Sequence, residues 1–301
     1  MKFSQLRNLV AVAEAGSVRQ GARNLNISQS AVTKSIQQLE DELGVELLHR
    51  VSHGVTPTAA GEAIVKRAKV IQGEMREALN DIESVQGGET GEIRVCASPT
   101  VAMGLLPSAV IEFKRTRSKV RFQIEEGLYP DVLPSIRKGE IDFAICLVPE
   151  RPRDAELNFE LLIRDHLVPA VRAQHPLTQE SNLKLEDLCD EEWVSYRRAA
   201  SNRDIFEMTF TLNNLEPPKN VTKCTSFACI QILVEQSDSI TLVPKKMFSA
   251  RLKSGAMTQL FMDSSMPSWN VMVISRAKHI LSPLCVDFLK ELHRVASRAD
   301  T

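Results

Sequence analysis

Two short helical patterns separated by a tight turn, within residues 17–43, most constrain how this chain folds. Ser17 and Ser28 each precede an amphipathic run, where a helix N-cap is expected. Asn26 and Ile27 form the turn, and the small residue Gly21 should let the two helices approach closely. The buried faces are predicted at Val18, Ala22 and Leu25 in the first helix, and at Val32, Ile36, Leu39 and Leu43 in the second, 29–43. This spacing predicts a helix-turn-helix.

The solvent face of the second helix carries groups that can bind DNA. Its first two turns present Gln29, Ser30, Thr33, Lys34 and Gln37, and no acidic residue precedes Glu40. Glutamine can pair with an adenine edge, hydroxyls reach bases or phosphates, and lysine neutralises a phosphate. A merely solvated polar face is the alternative. The helix pair, the short turn and the acid-free leading end together favour DNA binding.

A turn-rich hairpin follows at residues 44–58. Two short strands around Ser52, His53 and Gly54 would form a wing, from which Arg50 and His53 reach phosphates or a minor groove. Residues 1–58 hold six basic and five acidic side chains, and the whole chain has 37 Lys+Arg against 38 Asp+Glu. DNA binding therefore depends on where the charges lie and not on their sum.

Residues 59–86 form one long helical pattern without proline. Apolar residues recur at alternating spacings of four and three, which is typical of a coiled coil; they are Ile64, Ala68, Ile71, Met75, Ala78, Ile82 and Val85. One amphipathic helix lying on its own domain is the alternative. The length, and the lack of an adjoining globular core, favour pairing with a second copy. The glycines at 87, 88 and 91 then end the helix.

From residue 92 strands and helices alternate, as in an α/β domain with largely parallel sheets. Strands at 92–97, 120–125 and 141–145, with helices at 105–115 and 131–138, predict a right-handed βαβαβ unit. A second unit is predicted from strands at 221–224 and 240–243 around a helix at 227–236. Two units side by side leave a cleft, and helix N-termini aimed into it favour anions.

Composition and missing motifs exclude several classes of protein. Hydrophobic residues make up 43% and charged residues 25%, as in soluble globular proteins, and no apolar run is long enough for a membrane span. Six cysteines include no C-x-x-C pair, so we expect thiols of a reducing compartment; a redox role for Cys224 and Cys229 is the alternative. The strings G-x-S-x-G, G-x-x-x-x-G-K-[ST], G-x-G-x-x-G and H-E-x-x-H are absent. We therefore expect a cytoplasmic protein that is not an enzyme, with no cofactor, metal or membrane partner.

The N-terminal residues resemble the winged helix-turn-helix of LysR-type transcriptional regulators. The resemblance is carried by residues 11–17, 25–33, 39–40, 43–45 and 56–61. Gly21 stands where the family usually has alanine, and Ser30 where proline is common. More loosely, the whole length matches the family's order of parts. It implies a DNA-binding domain at 1–58, a dimerising linker helix at 59–88 and an effector-binding domain at 89–301, which is similar to periplasmic binding proteins.

The resemblance also implies roles for single residues. Gln29, Ser30 and Thr33 would contact bases, Lys34 and Arg50 would contact the backbone, and Gln37 and His53 lie on the same predicted surfaces. The effector-binding domain would have subdomain I at about 91–162 and 268–301 and subdomain II at about 163–267. A small organic, anionic aromatic effector would bind between them, at Ser98, Pro99, Thr100, Ser201, Asn202, Thr225, Ser226 and Phe227. Ordinary helix N-capping is the alternative role of these hydroxyls.

The implied partners are promoter DNA, the small effector, RNA polymerase and further copies of the chain. A dimer through the linker helix, assembled into a tetramer, would place two recognition helices on a pseudo-palindromic site. The alternative from another class is an α/β solute-binding or metabolic protein whose N-terminal helices serve only for assembly. The acid-free face at 29–37 distinguishes the two, because assembly does not require it.

Overall fold

The N-terminal residues form three helices and a two-stranded wing. The structure is a computed structural model that describes residues 1–52, 54–85, 90–148, 152, 154–196, 205–248, 255–262, 264–277 and 279–298, without the side chains of 81 and 83–85. Helices α1 (Phe3–Ala15), α2 (Val18–Asn24) and α3 (Gln29–Leu43) precede the antiparallel strands β1 (Leu48–Val51) and β2 (Gly54–Pro57). The helix-turn-helix and the wing are confirmed.

The predicted caps and most of the predicted core residues are observed. The hydroxyl of Ser17 accepts from the Gln20 N–H at 3.4 Å, and that of Ser28 accepts from the Ala31 N–H at 3.2 Å. Leu43 is a correction to the predicted core: it is 38% exposed, because α3 ends there at a left-handed glycine.

Gly21 serves a different contact from the one predicted. A Cβ at this position would lie 2.9 Å from the Cα of Val12, so the small residue permits close packing of α2 on α1 and not of α2 on α3. The third helix is tied to the first by a hydrogen bond from the Asn8 side-chain amide to the Ser35 hydroxyl at 2.9 Å. The contacts with α1 thus position both helices, and the polar face of α3 points outward.

The linker helix α4 (Ala59–Val85) contacts both domains. Ala68 is buried in the core of the N-terminal unit, with Ile64 and Val65 packed against it. Further along, the helix lies on the C-terminal domain: a Cβ at Gly73 would come within 3.0 Å of the Gly139 carbonyl oxygen. The expectation that α4 has no adjoining globular core is therefore wrong.

An apolar stripe on α4 nevertheless stays exposed. It consists of Ile71, Met75, Leu79 and Ile82, of which Ile82 is 55% exposed. Ala78 lies beside it on the surface, and the side chain of Val85 is outside the described residues. The helix thus has a polar face that packs on its own C-terminal domain and an apolar face that is exposed to solvent.

The C-terminal domain is built on a mixed seven-stranded sheet. Its strands, ordered β10-β6-β11-β5-β3-β4 with β9 beside β6, are β3 (Glu92–Ala97), β4 (Arg121–Glu126), β5 (Phe143–Val148), β6 (Leu157–Arg172), β9 (Thr241–Pro244), β10 (Met257–Gln259) and β11 (Ser268–Arg276). Strand β3 is parallel to β4 and β5, as predicted. Strand β11 is antiparallel to β5 and β6, so the expectation of largely parallel sheets is corrected.

Helices and a second, smaller sheet complete the domain. The helices are α5 (Pro99–Met103), α6 (Leu105–Thr116), α7 (Leu133–Arg137), α8 (Ile205–Thr211), α9 (Phe227–Gln236) and α10 (Pro283–Arg298). Strands β7 (Trp193–Tyr196) and β8 (Val221–Cys224) pair in parallel, and Trp193 bridges to Ile240. Strand β6 runs across the expected boundary at 162/163, so the two expected subdomains share one long strand. Within the described chain, no helix combines the length and hydropathy that crossing a membrane requires.

Candidate DNA-binding surface and effector cleft

The N-terminal half of α3 presents one continuous polar surface. Gln29, Ser30, Lys34 and Gln37 are exposed and Thr33 is half-buried, and the five line the same shallow depression. The Thr33 hydroxyl donates to the Gln29 carbonyl at 2.9 Å, so toward a ligand it can only accept. The Ser28 and Ser30 hydroxyls lie 3.2 Å apart. The structure therefore brings together all five of the residues predicted on this helix.

The acidic residues at the far end of α3 have structural partners that the sequence did not reveal. A carboxylate oxygen of Glu40 accepts from the N–H groups of Leu47, at 2.7 Å, and Leu48, at 3.2 Å, and so holds the start of the wing. Glu42 pairs with the N-terminal amine and accepts from Gln5, which lowers the pKa of the Glu42 carboxyl. Their charges are thus directed away from the leading face of the helix.

The wing carries the remaining predicted DNA contacts. Arg50 is exposed on β1, opposite Val55 of β2. The Val55 N–H donates to the Gly16 carbonyl at the end of α1, at 2.9 Å, which fixes the wing to the helical core. His53, the other predicted contact, lies outside the described residues.

A cleft of about 580 Å³ opens in the C-terminal domain between α5 and the start of α9. It brings together two of the three predicted effector turns: Pro99 lies on one side, and Thr225, Ser226 and Phe227 at the start of α9 lie on the other. The complete lining is Pro99, Met103, Glu126, Thr225, Ser226, Phe227, Ala228, Gln231 and Ile232. Ser201 and Asn202, the third predicted turn, lie outside the described residues. The volume is in the range of small-molecule sites.

Two hydroxyls beside the cleft are buried without a protein partner. Ser98 is 2% exposed and Thr100 is 4% exposed, and neither hydroxyl oxygen has a hydrogen-bond partner among the described residues. Ser98 precedes α5, yet its side chain makes no cap. Ser226 differs, because its hydroxyl accepts from the Cys229 N–H at 3.3 Å as an ordinary N-cap of α9. Of the predicted turn, Pro99 lines the cleft, whereas Ser98 and Thr100 lie beneath its surface. Since buried polar groups are normally paired, the two unpaired hydroxyls make this turn a candidate contact for a ligand.

Several lining residues were missed at the level of sequence. Glu126 ends β4, next to β3, so the rule that ligands bind beyond the carboxyl ends of parallel strands could have found it. Tyr196 stacks on Phe227 with ring centroids 4.5 Å apart, and burial and Glu126 raise its pKa. No sequence pattern indicated that Met103, Gln231 and Ile232 would line the cleft.

The Cys224 and Cys229 thiols lie near each other at the start of α9. The Cys224 sulfur accepts from the Ser226 N–H at 3.4 Å, and contact with this thiol raises the pKa of Cys229. A raised pKa leaves less of the nucleophilic thiolate.

Comparison with known proteins agrees with this architecture. Residues 3–62 match the family model of the bacterial regulatory helix-turn-helix protein, lysR family, and residues 86–297 match that of the LysR substrate binding domain. The uncharacterized HTH-type transcriptional regulator YdcI of Escherichia coli strain K12 is 32% identical over 60% of this chain. That match spans 59% of YdcI, less than two thirds of its length.

Two further comparisons cover more of the chain. The HTH-type transcriptional regulator MetR of Haemophilus influenzae is 26% identical over 80% of this chain and 77% of its own. Full-length CbnR, solved in complex with its target DNA, superposes with a TM-score of 0.68 at 21% identity, over 98% of this chain and 100% of CbnR, and shows the shared fold. With the two family models together spanning both domains, this chain belongs to the LysR family of DNA-binding transcriptional regulators.

Proposed function

We propose that α3 of each subunit reads promoter DNA through the major groove. Gln29, Ser30 and Thr33 contact base edges, while Lys34, Gln37 and the wing residues Arg50 and His53 contact the backbone. The observation that carries this assignment is the exposed, acid-free surface on the first turns of α3. The major groove admits a helix, and these side chains match the donors and acceptors it displays.

The salt dependence of DNA binding tests the backbone contacts. The negative slope of log K against log salt becomes shallower by about one for every phosphate that the protein no longer neutralises. In a dimer, the Lys34→Gln variant should therefore make the slope shallower by about two, with random duplex DNA as the probe. Lys66→Gln, at an exposed site on α4, is the matched control and should leave the slope unchanged. Equal slopes for both variants would remove Lys34 from the DNA-binding surface.

The cleft of the C-terminal domain takes a small organic effector, which we assign as an anionic aromatic molecule. The unpaired Ser98 and Thr100 hydroxyls can donate to an anion, and the N-terminal end of α9, whose first residues line the cleft, favours negative charge. Phe227, stacked on Tyr196, supplies an aromatic wall. The exposed carboxylate of Glu126 repels an anion, so the charged group of the effector is directed to the hydroxyl side.

A thermal-shift screen of the full chain tests this effector class. The probes are aromatic carboxylates and sulfonates, each paired with its neutral amide and with a cationic amine analogue. Stabilisation by the acids alone supports the assignment. Stabilisation by the amines alone would overturn it and place Glu126 at the centre of the site.

The exposed stripe Ile71, Met75, Leu79 and Ile82 pairs α4 with α4 of a second copy. The solvent exposure of these residues supports this dimer, and three of them, Ile71, Met75 and Ile82, belong to the predicted heptad pattern. We further propose that dimers assemble into a tetramer on DNA in the cytoplasm, where the protein contacts RNA polymerase.

A further inference from the structure

A polar face of α4 docks on the C-terminal domain. The Lys69 ammonium bridges Glu14 of α1, at 2.6 Å, and Glu140, at 2.5 Å. Arg76 donates to the Gly139 carbonyl at 2.9 Å, and the side chain of Asn80 bonds both backbone groups of Glu92. We call this set of contacts the linker joint. It links the position of the DNA-binding domain to that of the effector-binding domain.

Two carboxyl groups meet at the centre of the linker joint. Glu77, on α4, is 5% exposed, and Asp142, just before β5, is 3% exposed. Their carboxyl oxygens and the Cys285 sulfur lie within 4.8 Å of one another. Asp142 accepts from the Arg94 N–H at 2.7 Å, from Arg76 at 3.3 Å and from the Cys285 thiol at 3.8 Å. It has the donors that an ionised carboxylate needs.

Glu77 has fewer donors than an ionised carboxylate needs. Its Oε2 accepts from the Ser282 N–H at 3.2 Å, while its Oε1 is buried without a hydrogen-bond partner among the described residues. Two close carboxylates in a buried site do not both ionise, since like charges and poor solvation oppose it. A proton on Oε1 satisfies that atom and lets it donate to Asp142. Burial and the Asp142 charge accordingly raise the pKa of Glu77 to about 7.

A metal ion fits this site less well than a proton. Arg76 already neutralises Asp142, and its guanidinium would repel a cation placed between the carboxyls. The third potential ligand, Cys285, is a thiol whose pKa burial and Asp142 raise well above its usual value. Thiolate formation would therefore be costly here.

We propose that a proton shared by Glu77 and Asp142 holds α4 on the effector-binding domain, which makes the regulator responsive to pH near neutrality. The response of DNA binding rests on the proposed function, whereas the docking itself does not. When α4 leaves the joint, Glu77 becomes solvated and its pKa returns toward 4.5. Docking is then fully favoured below that value and is weakened as the pH rises through about 7.

Other charged groups lie at the joint, and their titration has to be separated from that of Glu77. From α4, Lys69, Arg76 and Glu74 face it; from the C-terminal domain, Arg94, Glu140, Arg276 and His279 do. Among these, His279 has the ordinary pKa closest to neutrality. Burial and Arg276 lower the pKa of His279, whereas Glu74 of α4 raises it. The Glu77→Gln variant therefore separates the titration of Glu77 from that of His279.

Hydrogen exchange of two amides in the full-length protein tests the proposal. The N–H groups of Ser282 and Glu92 belong to the effector-binding domain but donate to Glu77 and Asn80 of α4, at 3.2 and 3.3 Å. After correction for intrinsic rates, their protection should fall about tenfold between pH 6 and pH 8 in EDTA-treated protein. The Asp142 N–H, which donates to the Arg94 carbonyl at 2.9 Å within the same domain, should keep its protection.

Two variants complete the test. Glu77→Gln keeps the shape and donates permanently to Asp142, so the protection should become independent of pH and operator affinity should stay at its pH 6 value. Glu62→Gln, at an exposed position near the start of α4 and outside the linker joint, is the matched control and should retain the tenfold change. Constant protection in the unmodified protein, a tenfold fall that persists in Glu77→Gln, or a pH effect that requires added Zn²⁺ would each overturn the proposal. Failure to bind DNA at any pH would instead overturn the proposed function, because the exchange experiment needs no DNA.

Discussion

At the scale of single residues, Gln29 best separates base reading from backbone binding. Its side chain is exposed on the first turn of α3, and the helix start is held independently by Ser28. Gln29→Ala should cost about 1–3 kcal/mol at the specific operator, because it removes a paired hydrogen bond to a base, and should leave affinity for random DNA nearly unchanged. Fluorescence anisotropy with both duplexes measures this difference. An equal loss on both would make Gln29 a backbone contact.

Thr100 allows a prediction in which stability and binding change in opposite directions. Its hydroxyl is buried and unpaired in the free protein, so Thr100→Val should raise the free energy of unfolding by about 1 kcal/mol. The same change removes a donor to the effector and should weaken effector binding about tenfold, or ~1.4 kcal/mol. Denaturant unfolding and calorimetric titration measure the two effects. Unaltered effector affinity would exclude Thr100 from the site.

At the scale of elements, local signals predicted the two helices of the helix-turn-helix, α2 and α3, well. Helix α3 has the predicted bounds because Ser28 and Gly44 mark its ends, and the hydrophobic period fixes its buried face at Val32, Ile36 and Leu39. The cleft turns at Ser98 and Ser226 were also placed from local patterns. These elements are specified by residues close in sequence.

The elements that were missed depend on distant contacts. Strand β6 carries charges and a proline within its 16 residues, and it extends through both expected subdomains. Its sequence therefore shows no simple alternation of polar and apolar residues. The buried Asp165 in β6 accepts from the N–H groups of Lys246, at 3.0 Å, and Met247, at 3.1 Å, partners some 80 residues away. Likewise, the packing of the polar face of α4 on the C-terminal domain was missed, because its partners Asp142 and Ser282 lie far along the chain.

The apolar stripe of α4 yields a prediction about assembly. Ile71→Asp with Ile82→Asp places like charges across the proposed two-helix interface, so the dimer should dissociate and operator binding should be abolished. Effector binding should survive, because neither side chain belongs to the cleft. Sedimentation velocity and calorimetry measure the two properties, with Lys66→Asp, at an exposed position off the stripe, as the charge-matched control. A dimer of full operator affinity in the double variant would contradict the coiled-coil pairing.

At the scale of the whole molecule, strand β3 connects the linker joint to the effector cleft. Its first residue, Glu92, is bonded to Asn80 of the linker joint, and the strand ends at Ala97, next to the unpaired hydroxyl of Ser98. An effector that moves this end of β3 can therefore act on α4 and on the DNA-binding domain. Such coupling requires that the effector bind the docked and undocked arrangements with different affinities.

Asn80→Ala tests that path, because it removes two hydrogen bonds to Glu92, at 3.0 and 3.3 Å, without touching either ligand site. Effector affinity without DNA should change little, because Asn80 is not among the residues that line the cleft. The factor by which effector alters operator affinity should fall about fivefold, or ~1 kcal/mol of coupling free energy. Reciprocity demands that the effect of DNA on effector affinity fall by the same factor, so both are measured on one preparation. Lys66→Ala, on the solvent side of α4, should keep the full coupling. If Asn80→Ala responds to effector as the unmodified protein does, the signal reaches the DNA-binding domain by a route other than β3 and the linker joint.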